Sequence, residues 1–140
     1  MTSGRTSAKP VERRLIPTAI GLLLFMISLP SAPRASDDDV LASLARSGNR
    51  VMIAEFGLGQ CMQCKAQSEI LEKVRAVFKD KVLIQVVNVN REPSLTARYE
   101  VEMIPHLIFF TPSGKIAYRK TGVMKYEEIF AQLARMGVMP

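Results

Sequence analysis

Residues Gly59–Lys65 read GQCMQCK and hold both cysteines of the chain, Cys61 and Cys64. Two cysteines at this spacing can be a metal clamp, a structural crosslink or a pair that opens and closes. A disulfide between them closes a very small loop, so it adds little stability compared with a long-range crosslink. Closed structural zinc needs four ligands. With no second cysteine pair and His106 as the only histidine, the chain is short of them. Redox chemistry is left as the best use of the pair, provided the surrounding elements place it well.

Those elements follow from the hydropathy pattern. Arg50–Phe56, RVMIAEF, is a short apolar run rich in β-formers and predicts a strand. After the loop GLGQ, the spacing of Ile70, Leu71, Val74, Val77 and Phe78 predicts a helix from Cys61 to about Lys79. Cys61 then stands at a helix N-terminus, where free amides and the helix dipole stabilise a thiolate. Cys64 lies one turn on, facing the same side.

The pattern continues on both sides. Before the first strand, SDDDVLASLARSGNR predicts a helix capped by Ser36 or Asp37 and ended by Gly48 and Asn49. After the cysteine helix, Lys81–Val89 is a nearly unbroken apolar strand, as expected where both faces are covered. REPSLTARYE predicts a short helix with Pro93 in its first turn. His106–Thr111 and KIAYRKTG, joined by PSG, predict a hairpin. YEEIFAQLARMG closes the chain as an amphipathic helix with Ile129, Phe130, Leu133 and Met136 inward. The order α-β-α-β-α-β-β-α implies an α/β fold: a sheet of about four strands, parallel at its core, with helices on both faces and an antiparallel hairpin at its edge. Right-handed crossovers put the second strand outside the first and the third on its other side.

Composition bounds the partners. The 140 residues suit one folded domain, with 48% hydrophobic residues and a net charge of +6. Residues 1–36 carry Arg5, Lys9, Arg13, Arg14 and Arg34 against Glu12 alone, which is +4 of that charge. The body is near neutral, so nucleic acid is not an expected partner. Arg13-Arg14 precedes Leu15–Leu29, an uncharged run too short for a typical membrane span and suited to the apolar part of a secretory signal. Pro30 and Pro33 stand where cleavage after Ala32 or Ala35 wants a small residue. Residues 1–36 are therefore expected to be a signal peptide or an N-terminal membrane anchor. Residues 37–140 are the expected domain. In a bacterium, export means the oxidising periplasm.

AEFGLGQCMQCK, then Ile104-Pro105 before a strand 44 positions after Cys61, then TPSGKIAYRKTG, resemble the thioredoxin family over about residues 37–140. The resemblance implies a thioredoxin-like fold, here in a four-stranded version, and protein thiol–disulfide oxidoreductase activity. It implies Cys61 as attacking thiolate, Cys64 as resolving thiol and Pro105 as the family's cis-proline. Beside that proline, the Ile104 backbone would pair with an extended client. Glu55 falls where the family keeps a buried acid that takes the proton of Cys64 during resolution, against the plainer reading of an exposed strand residue. Gln60, Met62, Gln63, Ile104 and His106 are the expected substrate-binding surroundings.

The chain departs from the family pattern. Gln60 stands where a Trp usually precedes the first cysteine, and Met62-Gln63 replaces Gly-Pro. The redox potential therefore does not carry over from the family. His106, if cationic and near Cys61, would make the pair more oxidising. Its plainer reading is a partly exposed residue at a strand start.

Ile before the proline and an acid behind the pair resemble reducing members of the family. The expected function is thus an exported reductase of periplasmic protein disulfides, working as a monomer. It would need no cofactor beyond the Cys61–Cys64 disulfide, and a membrane-embedded thiol donor would supply its electrons. The alternative is a Cu(I)-delivery module holding the ion with Cys61, Cys64 and either His106 or a methionine, Met62 or Met103.

Overall fold

The computed structural model describes residues 39–140. The expected signal or anchor, residues 1–36, lies outside the described residues. No helix among the described residues is long and apolar enough to cross a membrane.

The elements run α1 (Val40–Gly48), β1 (Val51–Gly57), α2 (Met62–Phe78), β2 (Val82–Asn88), α3 (Pro93–Arg98), β3 (His106–Phe110), β4 (Ile116–Thr121) and α4 (Tyr126–Arg135). The cap of α1 is Asp39, not Ser36 or Asp37: its carboxylate accepts from the Ala42 amide at 3.2 Å. The Tyr99 hydroxyl donates to the same carboxylate, so a residue 60 positions away selects which acid caps the helix. Asn49 ends α1 in the left-handed conformation.

The strands form one sheet in the order β2-β1-β3-β4. β1 and β2 are parallel, with Val51 beside Val82 and Gly57 beside Asn88. β3 runs antiparallel to β1, with His106 beside Phe56. The sheet therefore has a single parallel pair, and the expected parallel core is corrected. The connection explains it. A strand of seven residues spans about 23 Å, whereas six helical residues advance about 9 Å. α3 is too short to carry the chain back along the sheet, so β3 enters from the end where β2 left.

Alternation along the strands divides the core in two. Val51, Ile53, Leu107 and Phe109 meet Leu71, Val74 and Phe78 of α2 and Ile129 and Leu133 of α4. Met52, Ala54, Phe56, Ile108 and Phe110 meet Leu41 and Ala45 of α1, with Tyr99. Phe130 and Met136 are only partly buried against the first cluster, and Val77 is exposed. β2 is not covered throughout: it lies at the sheet edge, and Val86 is 53% exposed. Gly114, at φ +79° in the β3–β4 turn, lets that turn close on α1, since a Cβ there would meet the Ala42 carbonyl oxygen at 2.6 Å.

Candidate active site

The C-terminal ends of β1 and β2 and the start of β3 lie at one end of the sheet. The chain leaves β1 through Leu58–Gln60 and enters α2 there. Cys61 is the N-cap of α2, with extended backbone angles, and its Sγ accepts from the Cys64 amide at 3.2 Å. The cap position normally belongs to a small side chain with an acceptor, and here a sulfur fills it. Cys61 is half-buried and Cys64 is buried; both are thiols.

Behind them, Glu55 is 1% exposed. The Ser68 hydroxyl donates to its two carboxylate oxygens, at 3.1 and 2.9 Å. A cleft of about 310 Å³ joins these groups, lined by Glu55, Gly57, Cys64, Ser68, Val86 and Asn88 among others. Gly57 makes the approach possible. A Cβ at that position would stand 3.2 Å from Cys64 Cβ and 3.3 Å from its Sγ.

The structure brings Cys61, Cys64 and Glu55 together on the α2 side of the sheet. The Ile104–Pro105 peptide bond is cis, and the Pro105 carbonyl accepts from the Gly122 amide at 2.8 Å. Pro105 is buried and Ile104 half-buried. Gln60 and Gln63 are exposed, and Met62 is 85% exposed. Met103 is exposed as well.

A family model described as thioredoxin matches residues 35–135. The chain belongs to the thioredoxin family. It is 27% identical over 89 residues to thioredoxin 1 of Chlorobaculum tepidum, covering 64% of this chain and 87% of that one. It is 36% identical over 70 residues to a probable protein disulfide-isomerase A6 of Medicago sativa, covering 49% of this chain and 19% of that protein. Among solved structures, chloroplastic thioredoxin z superposes with a TM-score of 0.62 at 20% identity, covering 68% of this chain and 86% of that one. With its Cys61/Cys64 pair, this thioredoxin-family chain is a thiol–disulfide oxidoreductase.

The two thiols of this family member are electrostatically unlike. Hydrogen bonds from the Cys64 thiol and from the Cys64 amide hold the Cys61 thiol below its ordinary range. Burial, then the hydrogen bond to Cys61, pushes the Cys64 thiol up. Burial also raises the Glu55 carboxyl, against the Ser68 hydroxyl, which lowers it. A group that ionises easily at the surface is thus backed by one that holds its proton, with a carboxyl behind both.

His106 does not join this group. It pairs with Phe56, so by strand alternation its side chain lies on the α1 face, opposite α2. It is 8% exposed, and its Nδ1 shares a hydrogen bond with Thr121 Oγ1 at 3.0 Å. Burial, then the nearby Arg119 cation, holds its pKa below the ordinary histidine range, so it is neutral at neutral pH. Neither reading of His106 holds: it is not a cation beside Cys61, nor is it a partly exposed residue, and the Cu(I) donor set that relied on it is split between two faces.

Ser68, Gly57 and Gln67 escaped the sequence reading. Ser68 follows Cys64 by four residues, so helical spacing alone puts both on one face. Gly57 closes an apolar strand directly before the cysteine loop. Gln67 had no local signal: its partner is 57 residues away.

Proposed function

We propose that this chain is an exported reductase of protein disulfides. Cys61, as thiolate, attacks one sulfur of a client disulfide. The client S–S bond breaks, a Cys61–client disulfide forms, and the released client thiolate takes a proton. Cys64 then passes its proton to Glu55, and its sulfur attacks Cys61. The Cys61–Cys64 disulfide forms and the second client thiolate leaves. Two electrons have moved from the dithiol to the client.

The observation that carries this reading is the asymmetry of the pair. A half-buried Cys61 caps the helix, and a buried Cys64 sits over Glu55 in the same cleft. Ser68 keeps the carboxyl in place and opposes the rise that burial imposes on it. The backbone of Ile104 beside Pro105 pairs with the extended client, and the exposed Gln60, Met62 and Gln63 border it.

The direction of electron flow rests on the family resemblance of an Ile before the proline and an acid behind the pair. Export rests on Arg13-Arg14 and the uncharged run Leu15–Leu29, with residues 1–36 as signal or anchor and 37–140 as the working domain. A reductase in an oxidising compartment needs electrons from within, so a membrane-embedded thiol donor is its partner.

The test is a redox titration of the full chain in defined thiol buffers, with free thiols trapped by alkylation and read by mass. A midpoint near about −270 mV supports a reductase, and one near about −120 mV overturns it in favour of a disulfide donor. A chain that never forms the Cys61–Cys64 bond overturns both.

A further inference from the structure

Gln67 is a fully buried polar residue on α2, one turn beyond Cys64. Its Oε1 accepts from the Met124 amide at 2.6 Å, and the acceptor must be the oxygen because the partner is an N–H. Its Nε2 is buried with no partner in the structure. Met124 belongs to the core cluster of α2 and α4, where an apolar residue at position 67 would remove the orphaned Nε2 but leave the buried Met124 amide without this acceptor. Buried polar groups are nearly always satisfied, so an exception at this position calls for a reason.

The reason lies in what Met124 adjoins. Residues Gly122–Lys125 connect β4 to α4. Two residues before Met124, the Gly122 amide donates to the Pro105 carbonyl at 2.8 Å. Two hydrogen bonds therefore link the helix that carries both cysteines to the segment holding Ile104 and Pro105. The first is Gln67 to Met124, and the second is Gly122 to Pro105.

We propose that Gln67 is a positioning residue for client binding: it holds the β4–α4 connection, and through it the Ile104–Pro105 segment, at a set height relative to Cys61. This rests on the reading that Ile104–Pro105 grips the client backbone. A small disulfide has no backbone to grip and needs only Cys61. A protein disulfide needs Cys61 and the segment in register.

The probes are oxidised insulin, as a protein disulfide, and 5,5′-dithiobis(2-nitrobenzoate), as a small one, with the full chain recycled by dithiothreitol. Gln67→Met conserves volume and removes the oxygen. Its KM for insulin is expected to rise about fivefold, the ratio one ordinary hydrogen bond commands, with kcat and the small-disulfide rate unchanged. Gln67→Glu keeps an acceptor oxygen and is expected to keep the KM.

An unchanged KM in Gln67→Met overturns the proposal. So does an equal loss on both probes, which is the mark of a merely structural role, and so does a KM in Gln67→Glu raised as in Gln67→Met. Pro105→Ala separates the two readings. If it leaves the insulin KM unchanged, the client grip itself is wrong and the proposal falls with it. If it raises KM while Gln67→Met does not, only the proposal falls. Should Gln67→Met not fold, the unmodified chain decides: exchange of the Met124 amide is expected to slow when Cys61 is held in a mixed disulfide with a peptide, and unchanged exchange overturns the proposal.

Discussion

On the α2 face of β1, Glu55 lies buried beside a cleft that reaches Cys64. On the opposite face, Tyr99 and His106 are buried as well. The Tyr99 hydroxyl donates to the Asp39 carboxylate, and the Arg119 guanidinium donates to the Tyr99 carbonyl at 2.8 Å. The Tyr99 ring stands 5.7 Å from both Phe56 and Phe110. His106 is tied to Thr121. The first group keeps a carboxyl with a raised proton affinity within reach of a thiol. The second joins α1, α3, β3 and β4. In the proposed mechanism buried polarity on one face handles protons, and on the other it fastens the fold, so substitutions on the two faces should separate activity from stability.

The largest effect belongs to the cysteine pair. Cys64→Ser should arrest turnover at the Cys61–client disulfide, visible as a covalent adduct on a non-reducing gel, while the fold persists. Cys61→Ser should lose both adduct and turnover. An adduct through Cys64 in that variant would reverse the assigned roles.

Glu55→Gln comes next. Loss of a positioned base should slow release of the mixed disulfide roughly a hundredfold, read by stopped-flow, with attack by Cys61 nearly unchanged. Its effect on stability should have the opposite sign. The folded chain binds this proton more tightly than the unfolded one, so the contribution is full below the ordinary carboxylate range. It is lost as pH rises through the raised folded value. Glu55→Gln should therefore be more stable than the parent at neutral pH, with a flatter dependence of its denaturation midpoint on pH.

Asp39→Ala tests the opposite face. It removes the cap of α1 and the partner of Tyr99, and should cost about 1–2 kcal/mol in denaturant unfolding. The release rate should not move, and a slowed release would break the division between the two faces.

His106 gives the smallest effect. Its folded pKa is depressed, so its contribution is full above the ordinary histidine value, about 6.5, and is lost as pH falls toward the folded value. His106→Phe should flatten the loss of stability on acidification. A midpoint for Cys61–Cys64 that shifts in this variant would place His106 nearer the cysteines than its strand register does.

What could be read in advance was local. The helix around Leu71, Val74 and Phe78, the apolar strand ahead of GLGQ and the hairpin around PSG are periodic or turn signals within a few residues of one another. The position of Cys61 at a helix start followed from them, while the burial of Glu55 was implied only by the family resemblance. Where the reading failed, two distant segments had to meet. β2 takes the edge that right-handed crossovers imply, but it reads as covered on both faces and leaves Val86 exposed. Ser36 and Asp37 suit a cap as well as Asp39 does, until Tyr99 selects among them.

The sequence by itself determined the order of elements and the cysteine pair at a helix N-terminus, because periodicity and capping act over one or two turns of chain. Tertiary structure alone decided the face that His106 takes and the meetings of Ser68 with Glu55 and Gln67 with Met124. These depend on how the strands pair and how α2 lies across them. Such contacts are settled only when all the apolar faces are buried together, so no local stretch of sequence records them.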